Sequence, residues 1–341
     1  MWPFFVPKIW QQRFLSSFFG KCLLIANFLS LIPTIILSIA QDEPLVWPFY
    51  TVMVLFALGI CISFLDTIGG PIINTFVAFF QQIYHVITKR PFKIYPQWNK
   101  RSLPFEKRKF LFEQVHFYKF LIPAERKAFD HRVVKFLESR EFEGRENVVI
   151  TEQMKLLISA TAVQISFGLR SYLIKEFAKI VVYPSAYYNK LSRRYHKGEV
   201  NPNGIVILNW EDFYHGIQIP DDNLNLGIHE FAHTLAVQRL KNRAFRDEVF
   251  VKLFDVLMRS AAKPAFRAQM QEHAGLRKYA QTNNMEFFAV ATESFFENPE
   301  QLYKNEPKIY TLFAQMYNQE LISLYRRAVT PLTNLHSQIT T

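Results

Sequence analysis

The sequence predicts an α+β protein that is mostly helical, with a small sheet, and that is preceded by a transmembrane helical hairpin. Three observations lead to this fold class. Two apolar stretches near the amino terminus are long enough to cross a lipid bilayer. From about residue 101 onward, helical periodicity dominates, and strand-like apolar runs are few and short. We therefore divide the chain into a membrane anchor at residues 1–100 and one larger domain at residues 101–341.

The membrane anchor is predicted from two apolar runs joined by a short acidic turn. The runs cover about residues 22–40 and 46–65, and the turn is Gln41-Asp42-Glu43-Pro44. Basic residues flank the runs and are absent from the turn. They are Lys8, Arg13 and Lys21 before the first run and Lys89, Arg90, Lys93, Lys100 and Arg101 after the second. The positive-inside rule then predicts a multi-pass protein of the inner (cytoplasmic) membrane, with the larger domain facing the cytoplasm.

A third segment, about residues 72–87, leaves the number of spans open. Polar or small residues, including Asn74, Ala78 and His85, form a stripe at helical spacing, so we interpret it as an amphipathic helix. A third span here would instead move the larger domain outside. Cleavage after Ser38-Ile39-Ala40 would leave one span and keep the domain in the cytoplasm.

The net charge limits which partners are expected, and the cysteine content limits which metal sites and cross-links are expected. The net charge is +11 at pH 7, which we attribute to basic residues attracted by an anionic lipid bilayer, a predicted partner. No DNA- or RNA-binding motif accompanies the charge, so nucleic acid is not expected as a partner. The only cysteines, Cys22 and Cys61, lie in apolar runs, which excludes a thiolate metal site and a disulfide-stapled fold.

The larger domain is predicted to contain five long helical segments and three short strands. Helices are expected at 124–141, 151–167, 247–258, 286–296 and 303–325. Strands are expected at 148–150, 180–183 and 205–210, and polar loops at 143–146 and 192–203.

The run His229-Glu230-Phe231-Ala232-His233 is the most informative motif of the chain. Residues four apart on a helix share a face, so both imidazoles point the same way and suit one zinc ion. Glu230, beside the first histidine, is a candidate general base. Alternatively, the helix is an ordinary amphipathic one on which the two histidines are solvated and Glu230 is a surface charge.

A third ligand is expected from a downstream segment that starts polar and becomes apolar. Thr282 or Asn283 can cap a helix that begins just before Glu286. Glu286 and Glu293 are seven residues apart and share one face of this helix, where a buried carboxylate needs a partner or a metal. We predict Glu286 as the third zinc ligand and Glu293 as a group that orients a ligand histidine.

The chain resembles the Mlc titration factor A family of zinc-dependent peptidases over roughly residues 105–325. Segments that carry the resemblance precede and follow the two-histidine motif in the expected order. They are 120–125, 149–160, 181–186, 204–210 and 286–290. The resemblance implies a zincin-like metallopeptidase domain.

The family pattern also implies roles for individual residues. It makes His229, His233 and Glu286 the zinc ligands and Glu230 the catalytic base, and it adds Tyr279 as the residue that stabilises the oxyanion. The chain departs from the family pattern at two places, and each change removes an acidic residue that could orient a metal ligand. The family usually has Lys-Leu-Asp where this chain has Thr234-Leu235-Ala236, and Thr-Asp-Pro where it has Thr282-Asn283-Asn284.

These inferences predict a membrane-anchored peptidase that hydrolyses peptide bonds with a Glu-activated, zinc-bound water. Its cofactor would be Zn²⁺ and its substrate a peptide or protein. The run at 204–210 is predicted to be a buried or an edge strand, and as an edge strand near the cleft it would pair with extended substrate. The alternative is a regulatory binding protein that sequesters a transcriptional repressor, with weak or vestigial peptidase activity; the resemblance suggests this partner.

Overall fold

The computed structural model describes residues 101–189, 193–201, 203–241, 247–330 and 332. Helices make up most of these residues. They are α1 (Phe105–Gln114), α2 (His116–Lys119), α3 (Pro123–Glu138), α4 (Glu152–Ser166), α5 (Trp210–Gln218), α6 (Leu226–Lys241), α7 (Glu248–Ala261), α8 (Pro264–Ala274), α9 (Asn284–Glu297), α10 (Pro299–Asn305), α11 (Pro307–Tyr317) and α12 (Leu321–Tyr325). A 3₁₀ turn at Lys278–Gln281 joins α8 to α9.

Start signals in the sequence account for where several helices begin. The Thr151 hydroxyl accepts the backbone N–H of Met154 and caps α4. Pro123 is the first residue of α3, where its missing N–H leaves no hydrogen bond unmade. Glu125 then accepts the N–H of Ile122, the residue just before the helix.

The strands form one four-stranded sheet and a separate hairpin. Their bounds are β1 (Glu141–Gly144), β2 (Lys179–Tyr183), β3 (Tyr187–Asn189), β4 (Arg194–His196), β5 (Gly198–Asn201) and β6 (Ile205–Asn209). The sheet order is β1-β2-β6-β5, with β5 antiparallel to β6 and the other pairs parallel. Strands β3 and β4 pair with each other. Among the described residues, β5 therefore ends the sheet on the side opposite β1.

Helix α9 runs through the aromatic core of the domain. Every residue from Phe287 to Glu297 is buried. The Phe288 ring packs against Phe254 with centroids 5.0 Å apart and lies near-parallel to Tyr317. Helix α6 packs along α9, so the two helices that carry the predicted ligands lie side by side.

The structure supports the mostly helical class with a small sheet and corrects several elements. Strands β2 and β6 occur as predicted, but residues 148–150 are irregular, and β1 forms in a segment partly predicted as loop. The loop predicted at 192–203 contains β4 and β5. Strand β6 lies inside the sheet, which agrees with the buried alternative for the run at 204–210 and not with the edge alternative. Among the described residues, the free edge on that side of the sheet belongs to β5.

The predicted membrane location is not supported. The apolar runs at 22–40 and 46–65 and the amphipathic segment at 72–87 lie outside the described residues. Within the described part, no helix has both the length and the apolar character that a bilayer span requires. This finding contradicts the predicted location, a multi-pass protein of the inner membrane with its larger domain facing the cytoplasm, for the part of the chain that the structure describes. The bilayer is likewise not supported as a partner.

Candidate functional site

Helix α6 carries the two histidines of the motif. Asn225 caps this helix: its side-chain oxygen accepts the N–H of Ile228 at 3.0 Å, and its carbonyl accepts the N–H of His229 at 2.9 Å. His229 and His233 are four residues apart, so they project from the same face. Their rings pack edge to face with centroids 4.8 Å apart. Helical spacing therefore brings both imidazoles to one place.

Helix α9 carries the two predicted carboxylates. Asn283 caps it, because its side-chain oxygen accepts the N–H groups of Met285 at 2.8 Å and Glu286 at 3.0 Å. Glu286 thus lies in the first turn, and Glu293 lies two turns further along the same face. Both side chains reach His229 on α6.

Three atoms that can bind a metal converge between α6 and α9. His229 Nε2 lies 3.1 Å from His233 Nε2 and 3.1 Å from Glu286 Oε2, and His233 Nε2 lies 3.4 Å from the same oxygen. Ligands about 2.0–2.1 Å from a tetrahedral zinc ion lie about 3.3 Å from each other. The three atoms lie at about these distances from one another, so they could hold a metal ion.

The hydrogen bond between His229 and Glu293 determines which nitrogen of His229 carries the proton and which one is left to bind a metal. His229 Nδ1 lies 2.8 Å from Glu293 Oε1, and an ionised carboxylate only accepts, so Nδ1 carries the proton. In the neutral ring, Nε2 then presents a lone pair to His233 Nε2 and Glu286 Oε2. Lone pairs that meet at one point repel each other unless a proton or a cation lies between them. The donor set therefore fits a cation.

Glu293 is buried, with only 1 % of its surface exposed, and its charge is compensated. Arg277 Nη2 donates to Glu293 Oε1. The other oxygen accepts the backbone N–H of Asn225 at 2.9 Å. Arg277 and Asn225 together hold the Glu293 side chain in the position from which it contacts His229 Nδ1 and can orient that ring.

His229 and Glu286 shift each other's pKa in opposite directions. Burial alone would lower the pKa of His229, but its hydrogen bonds to Glu286 and Glu293 outweigh burial and raise it. Burial alone would raise the pKa of Glu286, but the hydrogen bonds from His229 and His233 lower it well below its usual range. Glu286 therefore stays ionised, and a metal ion that binds His229 displaces the proton that the raised pKa favours on this imidazole.

Glu230 is buried against the end strand β5. Only 5 % of its surface is exposed. A Cβ atom built on Gly198 would lie 2.6 Å from Glu230 Cδ and 2.7 Å from Cγ, so glycine leaves the space that this side chain fills. Burial raises the pKa of Glu230, against the opposing effect of the two histidines. A raised pKa brings a carboxylate towards the range in which it can take up a proton and return it.

Tyr279 lies on the 3₁₀ turn, half exposed, beside the converging group. Its ring centroid is 6.0 Å from that of His229. Burial and the negative charges of Glu286 and Glu230 raise the pKa of Tyr279, and a hydrogen bond to Glu286 adds to the effect. The hydroxyl therefore keeps its proton and can donate a hydrogen bond.

His229, Glu230 and Tyr279 line a cleft of about 1050 Å³. The segment 195–198 and the first turns of α5 contribute to its lining, together with Leu224, Leu226, His229, Glu230, Arg277, Tyr279 and Glu293. Tyr195 is 75 % exposed and Leu224 is 45 % exposed, so apolar surface is available at the cleft. A cleft of this size accommodates several residues of a peptide.

A family model described as glucose-regulated metallo-peptidase M90 matches residues 89–318, more than half of the chain. The chain belongs to this M90 family. Its matched region is a metallopeptidase-like domain, and the resemblance to Mlc titration factor A proteins is confirmed.

Curated relatives agree with this M90 membership. An uncharacterized protein of Synechocystis sp. is 26% identical over 256 residues, which cover 65% of this chain and 90% of that protein. Mlc titration factor A of Serratia proteamaculans is 24% identical over 212 residues, 57% of this chain and 79% of that protein. The protein of the same name from Yersinia pestis is 24% identical over 214 residues, 57% of this chain and 77% of that protein.

The two departures of this M90 chain from the family pattern have a structural explanation. Asn283 replaces an aspartate but caps α9 through its side-chain oxygen, and asparagine and aspartate cap helices about equally well. Thr234 is fully buried, and its hydroxyl donates to the carbonyl of Phe231 at 2.7 Å. Ala236 is fully buried in the core. Thr234 therefore has a hydrogen-bond partner, and Asn283 takes the capping role that an aspartate would have.

Three residues of this M90 site were missed by sequence reasoning. Asn225 could have been found, because an asparagine directly before an apolar helical run is a cap signal. Arg277 follows no motif, since its partner Glu293 is sixteen residues away across a turn. Gly198 lies in a segment predicted as loop, so nothing indicated its contact with Glu230.

Proposed function

We propose that this protein is a zinc-dependent peptidase that hydrolyses bonds in an extended peptide or protein. The observation that carries the proposal is the convergence of His229 Nε2, His233 Nε2 and Glu286 Oε2 beside the buried Glu230. Two imidazoles and one carboxylate are typical of catalytic zinc sites, because three protein ligands leave a position for water or substrate. Membership of the M90 family supports the same reaction class.

The residues of the site divide the chemistry among them. His229, His233 and Glu286 would hold the ion, which when bound supplies a Lewis acid for the scissile carbonyl and lowers the pKa of water. Glu230 takes a proton from the attacking water and returns it to the leaving amine. Tyr279 donates a hydrogen bond to the carbonyl oxygen as it gains negative charge.

The free edge of β5 is the surface that we assign to the substrate backbone. The outer N–H and C=O groups of an end strand can pair with an extended peptide. Gly198 of β5 both lines the cleft and touches Glu230. A peptide paired with β5 would therefore pass beside the general base.

The test is Glu230→Gln in the full-length chain, assayed with a mixture of fluorogenic peptides and by zinc content. Glutamine has the same shape but cannot take a proton, so kcat/KM should fall by about 100- to 10,000-fold while zinc remains bound. Glu272→Gln, on the exposed face of α8, is the matched control and should keep full activity. Unchanged cleavage by Glu230→Gln would exclude the proposed mechanism, and absence of zinc from the wild type would exclude the site.

A second candidate function is sequestration of a transcriptional regulator. It is favoured by the relatives named Mlc titration factor A and by the exposed apolar side chains Tyr195 and Leu224 at the cleft. Titration calorimetry with a purified repressor of the Mlc type separates the two functions. Equal binding by wild type and Glu230→Gln, with no peptide cleaved by either, would favour sequestration.

A further inference from the structure

A closed ring of hydrogen bonds connects Asn225 with the first histidine. The Asn225 N–H donates to Glu293 Oε2 at 2.9 Å, and Glu293 Oε1 lies 2.8 Å from His229 Nδ1. The ring closes through the His229 N–H, which donates to the Asn225 carbonyl at 2.9 Å. His229 is thus held at its backbone by Asn225 and at its ring by the carboxylate that Asn225 itself holds.

The side chain of Asn225 anchors this ring to α5 and, at a second place, to α9. Its Nδ2 donates to the Gly216 carbonyl on α5 and to Glu297 Oε1 on α9, both at 2.9 Å. A Cβ atom on Gly216 would lie 2.9 Å from Asn225 Cγ, so α5 approaches this closely only because residue 216 is glycine. Asn225 is 5 % exposed, so water cannot substitute freely for these bonds.

Glu297 completes the anchor without adding a second charge beside Glu293. Burial raises the pKa of Glu297 to about 8, against the lowering effect of its hydrogen bond from Asn225. At neutral pH, Glu297 is therefore mostly protonated, and its Oε1 accepts from Asn225 as a neutral group. Glu293 is the carboxylate that contacts both His229 and Arg277.

We propose that Asn225 is a positioning residue for the metal centre, which fixes the place and orientation of His229 through this ring and its two anchors. The inference rests on the proposed metal site. It goes beyond the capping of α6, since a cap needs only the Asn225 side-chain oxygen, whereas positioning also needs the Nδ2 donor. Among the good capping residues, only asparagine carries an acceptor oxygen and an NH₂ donor group on separate atoms.

The test compares zinc affinity in full-length variants, measured by competition with a chromophoric chelator. Asn225→Ser and Asn225→Asp keep a good cap but lose the donor to Gly216 and Glu297. Loss of groups that orient metal ligands weakens binding, so both should bind zinc about 10- to 100-fold less tightly than the wild type. Glu297→Leu removes one anchor, leaves the cap untouched and should also weaken binding.

Two controls separate positioning from general loss of stability. Thr151→Ala removes the cap of α4; it should lower the melting temperature and leave zinc affinity unchanged. Glu297→Gln keeps an Oε1 acceptor for Asn225 Nδ2 in a neutral side chain, so it should keep zinc affinity close to the wild-type value. Zinc affinity within twofold of wild type in Asn225→Ser, Asn225→Asp and Glu297→Leu would overturn the inference. A wild type that binds no zinc would instead overturn the proposed function.

Discussion

At the scale of single residues, Gly198 determines where Glu230 can lie. A methyl group at residue 198 would come within 2.7 Å of Glu230 Cγ, so the flexible carboxylate would have to move away from β5. We expect Gly198→Ala to lower kcat by about 10- to 100-fold, because a displacement of about 1 Å at a reacting group has effects of this size. Zinc content should stay at the wild-type value, since the three atoms nearest to a Cβ at residue 198 all belong to Glu230, which is not a predicted ligand.

A double-mutant cycle identifies the cause of that loss. If Gly198→Ala acts by displacing Glu230, it should have no further effect on residual activity in the Glu230→Gln background. Equal losses in both backgrounds would contradict this explanation and would indicate that the methyl group disturbs β5 itself. Peptide cleavage and zinc content are measured for all four chains under the same conditions.

Residues whose positions follow from helical spacing could be predicted from the sequence. His229 and His233 share a face because they are four apart, and Glu286 and Glu293 because they are seven apart. Arg277 and Gly198 could not be predicted, because their contacts depend on how a turn and a strand pack against these helices. Tyr279 was reached only through the family pattern, and the structure brings its ring beside His229.

At the scale of secondary structure, the sequence was informative where apolar periodicity or caps were clear. Helices α4 and α9 begin within two residues of their predicted starts. The helix predicted at 303–325 is divided instead: Pro307 cannot continue α10, and Asn318 ends α11 in the left-handed conformation, φ 52°. Strand β1 was missed because Glu141 was assigned to the preceding helix and Glu143 to a polar loop, although both pair with Lys179 of β2.

The contact between α2 and α3 makes stability depend on pH through Asp130. The Tyr118 hydroxyl donates to Asp130 Oδ1 at 2.8 Å, and Asp130 is 2 % exposed. Burial raises the pKa of Asp130 from 3.8 to about 7, against the lowering effects of Tyr118 and two arginines. Between these values the unfolded chain has released the proton and the folded chain has not. The contribution of Asp130 to the stability of the fold is therefore complete below pH 3.8, and it is lost as the pH rises through 7.

Asp130→Asn should remove this dependence. We expect the free energy of unfolding of the wild type, relative to the variant, to fall by about 1–4 kcal/mol between pH 4 and pH 7, since one pKa unit corresponds to about 1.4 kcal/mol. Urea unfolding at several pH values measures the difference. Asp221→Asn, at an exposed residue, is a control that also removes one carboxyl group. A constant difference between wild type and Asp130→Asn across this range would contradict the prediction.

At the scale of the whole molecule, the candidate metal site joins parts of the chain that are distant in sequence. His229 and Glu286 are 57 residues apart, and Glu293 adds a second connection between α6 and α9. In the unfolded chain these donors separate, so a metal that needs all three binds the folded state preferentially. Metal binding should therefore stabilise the fold as a whole and not only the cleft.

Zinc should accordingly raise the melting temperature of the full-length chain after treatment with a chelator. Free zinc at about 100 times its dissociation constant stabilises a folded protein by about 2.7 kcal/mol, which for a domain of this size corresponds to about 5 to 10 °C. His233→Ala removes one ligand without touching Glu293 or Asn225 and should lose the shift, whereas Glu272→Gln should keep it. An equal shift in His233→Ala would mean that zinc binds elsewhere. Because unfolding is measured without any substrate, this experiment separates the existence of the site from the peptidase reaction assigned to it.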